Sequence, residues 1–333
     1  MPSSIDGAIK FLETQWSSIN DNKLKGIKAE VDFRDYLENK NVHYIPGGWI
    51  LSPGKNTNVE IPCQEKICLL PIEIDFSWVN SGQGNNNITP ALISAYNYFR
   101  QVGVVTYFVV PESIDENSFK LPSKSQGTTR AIYPRPYSLL FKTISPNGQL
   151  EDVNISDVMI NFPNRNGNIG MRCNQINRID RNEVPWNDAE IVRDLFWFEY
   201  ARYYCQVEYL VSNNDLDLFI IGSSGSAYPV ELKSKLPVVD DKLGDWFGLD
   251  IGPFAKMSFF TSNSMNTDAL YIVEEVDEQR NHISWLGIKF TELVKSCCWV
   301  GQAGGQGMTG GASSTIRVPK AAFHLFDDLL TEL

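Results

Sequence analysis

The sequence is poor in the residues on which many catalytic and metal sites depend. Among its 333 residues only three are histidines, His43, His282 and His324, and they lie far apart in the chain. None of the six cysteines belongs to a Cys-x-x-Cys pair or stands near a histidine at zinc-finger spacing. These absences argue against a histidine-based metal centre, an HNH-type nuclease and a histidine-dependent hydrolase.

Other common signatures are missing as well. No apolar run approaches the ~18 residues that cross a bilayer, and the N-terminus lacks the basic and then apolar layout of a signal peptide. We therefore expect a cytoplasmic protein with no membrane partner. The glycine-rich residues 301–311 lack the terminal Lys-Ser/Thr of a phosphate-binding loop, and no Gly-x-Ser-x-Gly elbow occurs.

The charge balance is acidic, with 40 acidic and 29 basic residues and a net charge of −11. Such a total is unlike that of a general nucleic-acid binder. The distribution is uneven, however, because residues 120–150 contain five basic residues and no acidic one. Contacts with phosphates require only a local basic surface, so binding to nucleic acid stays open.

A second polar region, residues 161–181, is rich in arginine and asparagine. Arginine pairs with guanine edges, and asparagine or glutamine pairs with adenine edges, so this composition is typical of a base-reading surface. The alternative is an asparagine-rich loop region without a ligand. The DNA-binding candidates, including a lysine near the start of a later helix, are Lys120, Lys124, Arg130, Arg135, Arg165, Arg172, Asn174, Gln175, Arg178, Arg181 and Lys256.

The pattern of elements predicts an α/β protein. Residues 1–110 read as helices and strands in alternation, with a helix over residues 23–39, a strand over residues 43–51 bent by Gly47-Gly48, Thr89-Pro90 as a helix start and residues 104–110 as an apolar strand. Further along the chain, a helix is predicted over residues 251–262 and strands over residues 269–275 and 283–290. Residues 111–186 are broken by prolines. The second half repeats the order of the first, which would place Glu73-Ile74-Asp75 opposite Glu231-Leu232-Lys233. This suggests a degenerate duplication, although α/β proteins share such an order in any case.

Residues 213–235 contain the candidate metal-binding and catalytic residues. They read as two buried strands joined by a Gly/Ser turn and interrupted by Asp217, Glu231 and Lys233. The period of two puts Glu231 and Lys233 on one face of the strand, and antiparallel pairing would bring Asp217 near them. Two carboxylates and an ammonium suit an oxygen-ligand site for Mg²⁺. The alternative is a salt-bridged strand end.

A helix predicted over residues 188–204 precedes this stretch. Glu190 stands three residues after Asn187, which is the spacing of a capping box and gives Glu190 a structural role. Glu199 falls on the apolar face with Val192 and Leu195, and a buried acid needs a partner.

Asp217, followed by Glu231-Leu232-Lys233, resembles the motif of the PD-(D/E)xK nuclease superfamily. The resemblance implies a mixed central sheet flanked by helices, with an αβββαβ core. It also implies Mg²⁺-dependent phosphodiester hydrolysis that leaves 5′-phosphates. Asp217 and Glu231 would bind the metal, Lys233 would position or activate water, and Glu199 would complete the site. No proline precedes Asp217, and Asp215 is a second candidate for the metal-binding aspartate.

Within this superfamily the chain is most similar to a Type II restriction endonuclease, which implies a homodimer acting on double-stranded DNA. The expected organisation is an N-terminal α/β region for dimerisation or recognition (1–110), an irregular DNA-recognition region (111–186) and a nuclease core (187–333). The alternatives are a structure-specific repair or recombination nuclease and a catalytically inactive DNA-binding module of the same fold.

Overall fold

The computed structural model describes a large part of the chain. The described residues are 9, 12, 21–54, 66–71, 89–114, 137–145, 148–164, 188–189, 191–192, 195–196, 200, 204–205, 208–264, 267–303 and 314–333. Among them, no helix is both long and apolar enough to cross a membrane.

The described elements are helices separated by runs of strands, so the protein is of mixed α/β type. The helices are α1 (Asp21–Asn39), α2 (Pro90–Gln101), α3 (Ile155–Val158), α4 (Ile251–Asn263), α5 (Phe290–Ser296) and α6 (Phe326–Leu330). The strands are β1 (Tyr44–Pro46), β2 (Trp49–Pro53), β3 (Ile67–Pro71), β4 (Val105–Ile114), β5 (Tyr137–Ile144), β6 (Leu150–Val153), β7 (Val211–Asp215), β8 (Leu218–Ile221), β9 (Ala227–Lys235), β10 (Trp246–Asp250), β11 (Leu270–Val276), β12 (His282–Lys289), β13 (Cys298–Ala303), β14 (Ser314–Pro319) and β15 (His324–Leu325). The class predicted from the sequence, mixed α/β, is confirmed at this level.

The chain divides into two compact units, each made of several segments. Unit 1 consists of Met1–Val31, Gly48–Thr89 and Val104–Asp215, and unit 2 consists of Asp32–Gly47, Pro90–Gly103 and Leu216–Leu333. The boundaries of the two units do not coincide with the region boundaries predicted at residues 110 and 186. The functional assignment of the three predicted regions stays a prediction.

Unit 1 is built on a six-stranded mixed sheet of order β6-β5-β4-β3-β2-β7. Neighbouring strands are antiparallel except for β3 and β4, which are parallel. Buried aliphatic and aromatic side chains from the strands pack with helical residues between 189 and 205. Leu69, Val109 and Phe141 of the strands lie in one core with Leu195 and Tyr200.

Unit 2 contains a six-stranded mixed sheet of order β1-β8-β9-β11-β12-β15 and a three-stranded sheet of order β10-β14-β13. In the larger sheet β9 and β11 are parallel, whereas the other neighbours are antiparallel. The parallel pair follows from the crossover through α4, since parallel neighbours cannot be joined by a tight turn. Phe99 of α2 contacts Phe219 of β8 and Phe260 of α4.

The two six-stranded sheets share one sequence of strand directions. Read from β7 in unit 1 and from β1 in unit 2, the steps are antiparallel, antiparallel, parallel, antiparallel and antiparallel. In each sheet the strand at which this reading starts is distant in sequence from its neighbour, since β7 pairs with β2 and β1 pairs with β8. Strand β1 directly precedes β2 but belongs to unit 2, and β7 directly precedes β8 but belongs to unit 1. Glu73-Ile74-Asp75 lies outside the described residues, and the duplication stays a prediction.

Several predicted elements have the expected positions, including α1, α2, α4, β11 and β12. Two predictions about strand continuity were wrong. Residues 43–51 form two strands in different sheets instead of one bent strand, because the chain leaves one sheet at Gly47-Gly48 and enters the other. Likewise Asp217 does not lie within a strand, because β7 ends at Asp215 and β8 begins at Leu218.

Candidate active site

The candidate site lies in unit 2, at the start of β8 and in the second half of β9. These strands pair antiparallel, with Leu218 opposite Val230, so that Asp217 comes beside the following residues of β9. Strand β9 is buried through Leu232, which fixes its main chain between two neighbours in the sheet. The alternation of side chains then places Glu231 and Lys233 on one face.

The ammonium group of Lys233 lies near both acids. Its Nζ lies 2.6 Å from Oε1 of Glu231 and 3.9 Å from Oδ2 of Asp217. The lysine side chain is about one-third exposed, while both carboxylates are buried. The three residues selected from the sequence therefore form one cluster, with the ammonium at its solvent-facing edge.

Asp217 is fixed through both its side chain and its main chain. The amide of Leu232 donates a hydrogen bond of 2.6 Å to Oδ2 of Asp217, and the amide of Gly47 donates one of 3.1 Å to its carbonyl oxygen. Although Asp217 lies between strands, these bonds fix both its carboxylate and its carbonyl group. Asp215 ends β7, opposite Trp49 in the sheet of unit 1.

Glu231 is the most buried acid of the site, with 3% of its surface exposed. Burial by itself would raise the pKa of Glu231. The ammonium groups of Lys233 and Lys256 outweigh that effect and lower the pKa to about 2. Glu231 is therefore a carboxylate at any physiological pH.

Lys256 of α4 is the second cation of the site. Its Nζ lies 2.7 Å from Oε2 of Glu231, and its side chain is only 13% exposed. The sequence indicates Lys256 as a phosphate contact, whereas in the structure its ammonium lies against Glu231. A signal was present, because Lys256 precedes the buried Phe260 by four residues and so falls on the inward side of the helix.

Tyr271, Lys235 and Asp250 also border the site, and the sequence did not indicate them as site residues. Tyr271 lies opposite Glu231 in the parallel pair of β9 and β11, and its hydroxyl donates a hydrogen bond of 2.9 Å to the carbonyl of Gly248. Burial raises the pKa of Tyr271, so the phenol stays protonated. Burial also lowers the pKa of the nearby Lys235 ammonium, against the opposing effect of Asp250.

The other predicted site residues lie outside the described residues. This holds for Glu199 and for every DNA-binding candidate except Lys256. From the basic stretch 120–150, Lys142 is described, and it is buried and paired with Asp152 on the neighbouring strand at 2.6 Å. Its charge is thus neutralised within unit 1.

The donor chemistry of the cluster suits a hard divalent cation. Mg²⁺ is usually held by one or two carboxylates together with waters and substrate phosphates, instead of a full protein cage. Asp217 and Glu231 supply two carboxylates that approach one ammonium. Within the described ranges, no group of three or more histidine, cysteine or acidic side chains is arranged to hold a metal ion. The candidate protein ligands among the described residues are therefore these two carboxylates.

Comparison with family models, with curated proteins and with solved structures found no significant match. The interpretation of this site accordingly rests on its residues and their geometry.

Proposed function

We propose that this protein is a Mg²⁺-dependent nuclease of the PD-(D/E)xK type. The observation that carries the proposal is the contact of the Lys233 ammonium with both the Glu231 and the Asp217 carboxylates, at 2.6 and 3.9 Å. A strand-end salt bridge needs one acid and one base. Burying a second acid costs desolvation energy even though Lys256 supplies a second positive charge, and a role in binding a cation would explain that cost.

The arrangement of the surrounding elements supports the same proposal. Apart from β10, which intervenes between β9 and α4 and belongs to the three-stranded sheet, strands β8 and β9, helix α4 and strand β11 follow one another in the chain, and β9 and β11 are parallel neighbours. This is a strand, strand, helix, strand run, as expected for the last four elements of an αβββαβ core. One departure concerns the preceding strand, because the place beside β8 is occupied by β1 and not by β7.

In this proposal Asp217 and Glu231 hold the metal, and Lys233 orients the attacking water through its Nζ. Bound there, Mg²⁺ would neutralise charge on the phosphate and make a bound water more acidic. The Leu232 amide keeps the Asp217 carboxylate in place, and the low pKa of Glu231 keeps that ligand ionised. Glu199, which lies outside the described residues, stays the residue that the resemblance implies for completing the site.

We further propose a Type II restriction endonuclease that acts on double-stranded DNA as a homodimer, with one site for each strand, in the cytoplasm. The large arginine- and asparagine-rich region supports sequence reading, since arginine and asparagine are the residues that pair with base edges. A dimer suits a roughly palindromic target because a twofold axis relates its two half-sites.

Digestion of a plasmid of known sequence with Mg²⁺, followed by mapping of the ends, tests the proposal. We expect discrete fragments that carry 5′-phosphates. Lys233→Ala should reduce the cleavage rate by about 10²–10⁴-fold, the usual contribution of a positioned acid–base group. Lys295→Ala, at an exposed lysine of α5, is the matched control and should cut like the parent protein.

Three other outcomes would point elsewhere. Cutting confined to branched or damaged DNA would identify a structure-specific nuclease. Binding of DNA without any cleavage would identify a catalytically inactive module. Equal cleavage by the parent protein and by Lys233→Ala would remove Lys233 from the mechanism and overturn the proposed site.

A further inference from the structure

The carboxylate of Glu231 is held by two ammonium groups, one on each oxygen. Lys233 contacts Oε1 at 2.6 Å from the same strand, and Lys256 contacts Oε2 at 2.7 Å from α4. Lys256 is the more enclosed of the two lysines, with 13% of its side chain exposed against 34% for Lys233. An ammonium so enclosed is stabilised by the carboxylate that it faces.

The side chains of the cluster are balanced in charge. Asp217 and Glu231 contribute two negative charges, and Lys233 and Lys256 contribute two positive charges. A divalent cation that approaches Glu231 meets an oxygen already neutralised by Lys256. At such short distances in a buried site, repulsion between the two cations is screened only weakly.

We propose that Lys256 is a built-in counter-ion of Glu231 whose positive charge opposes the binding of a divalent cation by that carboxylate and so weakens metal binding. The inference rests on the proposed function, since it takes Glu231 as a metal ligand. Lys256 keeps the buried Glu231 paired in the metal-free protein, and its charge would remain close to any cation that this carboxylate binds. Lys233 contacts the other oxygen, Oε1, at 2.6 Å and keeps its charge in every variant below.

The test is a titration of the purified full-length protein with Mn²⁺ alone, in which the free ion is followed by electron paramagnetic resonance. The main variant is Lys256→Gln, which removes the charge and keeps a hydrogen-bond donor. We expect it to bind Mn²⁺ about tenfold more tightly than the parent protein, because an opposing charge close to the metal is gone. Lys256→Arg keeps the charge and should bind with the parent affinity.

Two controls locate the effect. Lys295→Gln removes an exposed charge from α5 and should leave the affinity unchanged. Asp217→Ala combined with Lys256→Gln should abolish the tight binding, which shows that the ion occupies this site. Lys256→Met, with a similar alkyl chain and no charge, is a second neutral variant in case Lys256→Gln does not fold.

A second readout is independent of the affinity measurement. Without metal, Lys256→Gln should unfold at a lower temperature than the parent protein, because Glu231 loses an ion pair. Added Mn²⁺ should raise its unfolding temperature by more than it raises that of the parent, since a ligand stabilises a fold according to its affinity. An equal rise in both proteins would count against the inference.

The outcomes separate this inference from the proposed function. If the parent protein binds Mn²⁺ and the neutral variants bind it equally or more weakly, Lys256 does not oppose metal binding and the inference is wrong, while the metal site stands. If neither the parent protein nor any variant binds Mn²⁺, the metal site is absent, and both the inference and the proposed function are overturned.

Discussion

Gly47 lies so close to the main chain of Leu216 that a Cβ on Gly47 would stand 1.5 Å from the Leu216 carbonyl oxygen. The amide of Gly47 also donates a hydrogen bond to the carbonyl of Asp217. Gly47 follows β1, and Leu216 and Asp217 precede β8, the strand with which β1 pairs. The glycine therefore sets the position of the main chain that carries the candidate metal ligand Asp217.

Replacing Gly47 by alanine should destabilise the protein and impair the site. The new Cβ meets main-chain atoms, which cannot rotate away as the end of a side chain can, so we expect a loss of at least about 2 kcal/mol in the free energy of unfolding. Urea unfolding followed by circular dichroism measures the change. Cleavage of plasmid DNA should fall as well, because Asp217 moves with the strand.

The matched control is another change from glycine to alanine. Gly26 lies within α1 and has no heavy atom within 4 Å of an added Cβ, so Gly26→Ala should stabilise by about 0.5–1 kcal/mol through helix propensity. A Gly47→Ala protein that unfolds at the same urea concentration as the parent would show that the close approach to Leu216 is not a constraint.

The choice between Asp215 and Asp217 is open to a direct comparison. Asp217→Asn keeps an oxygen that can accept the hydrogen bond of the Leu232 amide but loses the charge, so we expect the fold to survive and plasmid cleavage to fall about 100-fold or more. Asp215→Asn should cut at nearly the parent rate. The reverse order of effects would assign the metal to Asp215.

The ion pairs of Glu231 predict a definite dependence of stability on pH. Its pKa in the folded protein is about 2, below the ordinary value of 4.5, so the carboxylate binds a proton less readily when folded. The stability gained from this difference is fully present above the ordinary pKa and is lost as the pH falls from there through the folded pKa.

The comparison of the parent protein with Glu231→Gln isolates this contribution. The difference between their urea midpoints should be constant from neutral pH down to the ordinary pKa of glutamate, and then shrink as the pH approaches about 2. A difference that instead shrinks as the pH rises through neutrality would contradict the charged pairing of Glu231 with Lys233 and Lys256.

Local sequence patterns were enough to predict many elements. Thr89-Pro90 gave the start of α2, and uninterrupted apolar runs gave β4 and β11, because helix entry and strand burial depend on nearby residues. The period of two along β9 also predicted that Glu231 and Lys233 share a face. These predictions use physical preferences that act over a few residues.

Local patterns could not predict in which sheet each strand pairs. Residues 43–51 and 213–221 each read as a single strand, since sequence periodicity does not show in which sheet a strand finds its partner. The actual partners divide each stretch in two, so that β1 and β2, and likewise β7 and β8, belong to different sheets. Asp217 thereby lies at a crossing point instead of within a strand.

The role of Lys256 shows the same limit at the level of one side chain. By sequence, a lysine in the second turn of a helix is a plausible phosphate contact. Only the packing of α4 against its own sheet brings the ammonium to Oε2 of Glu231. Residues 256 and 231 are 25 positions apart, and no local rule relates the two.

The sequence by itself determined the α/β class, many of the described elements and the three polar residues of the hairpin, because each depends on short-range propensity and alternation. The tertiary structure decided which strands pair, that the Asp217 carboxylate lies 3.9 Å from the Lys233 ammonium, and that Lys256 of α4 lies against Glu231. Those contacts join residues distant in the chain. They form only when packing within unit 2 has fixed the pairing of β8 with β9 and the position of α4.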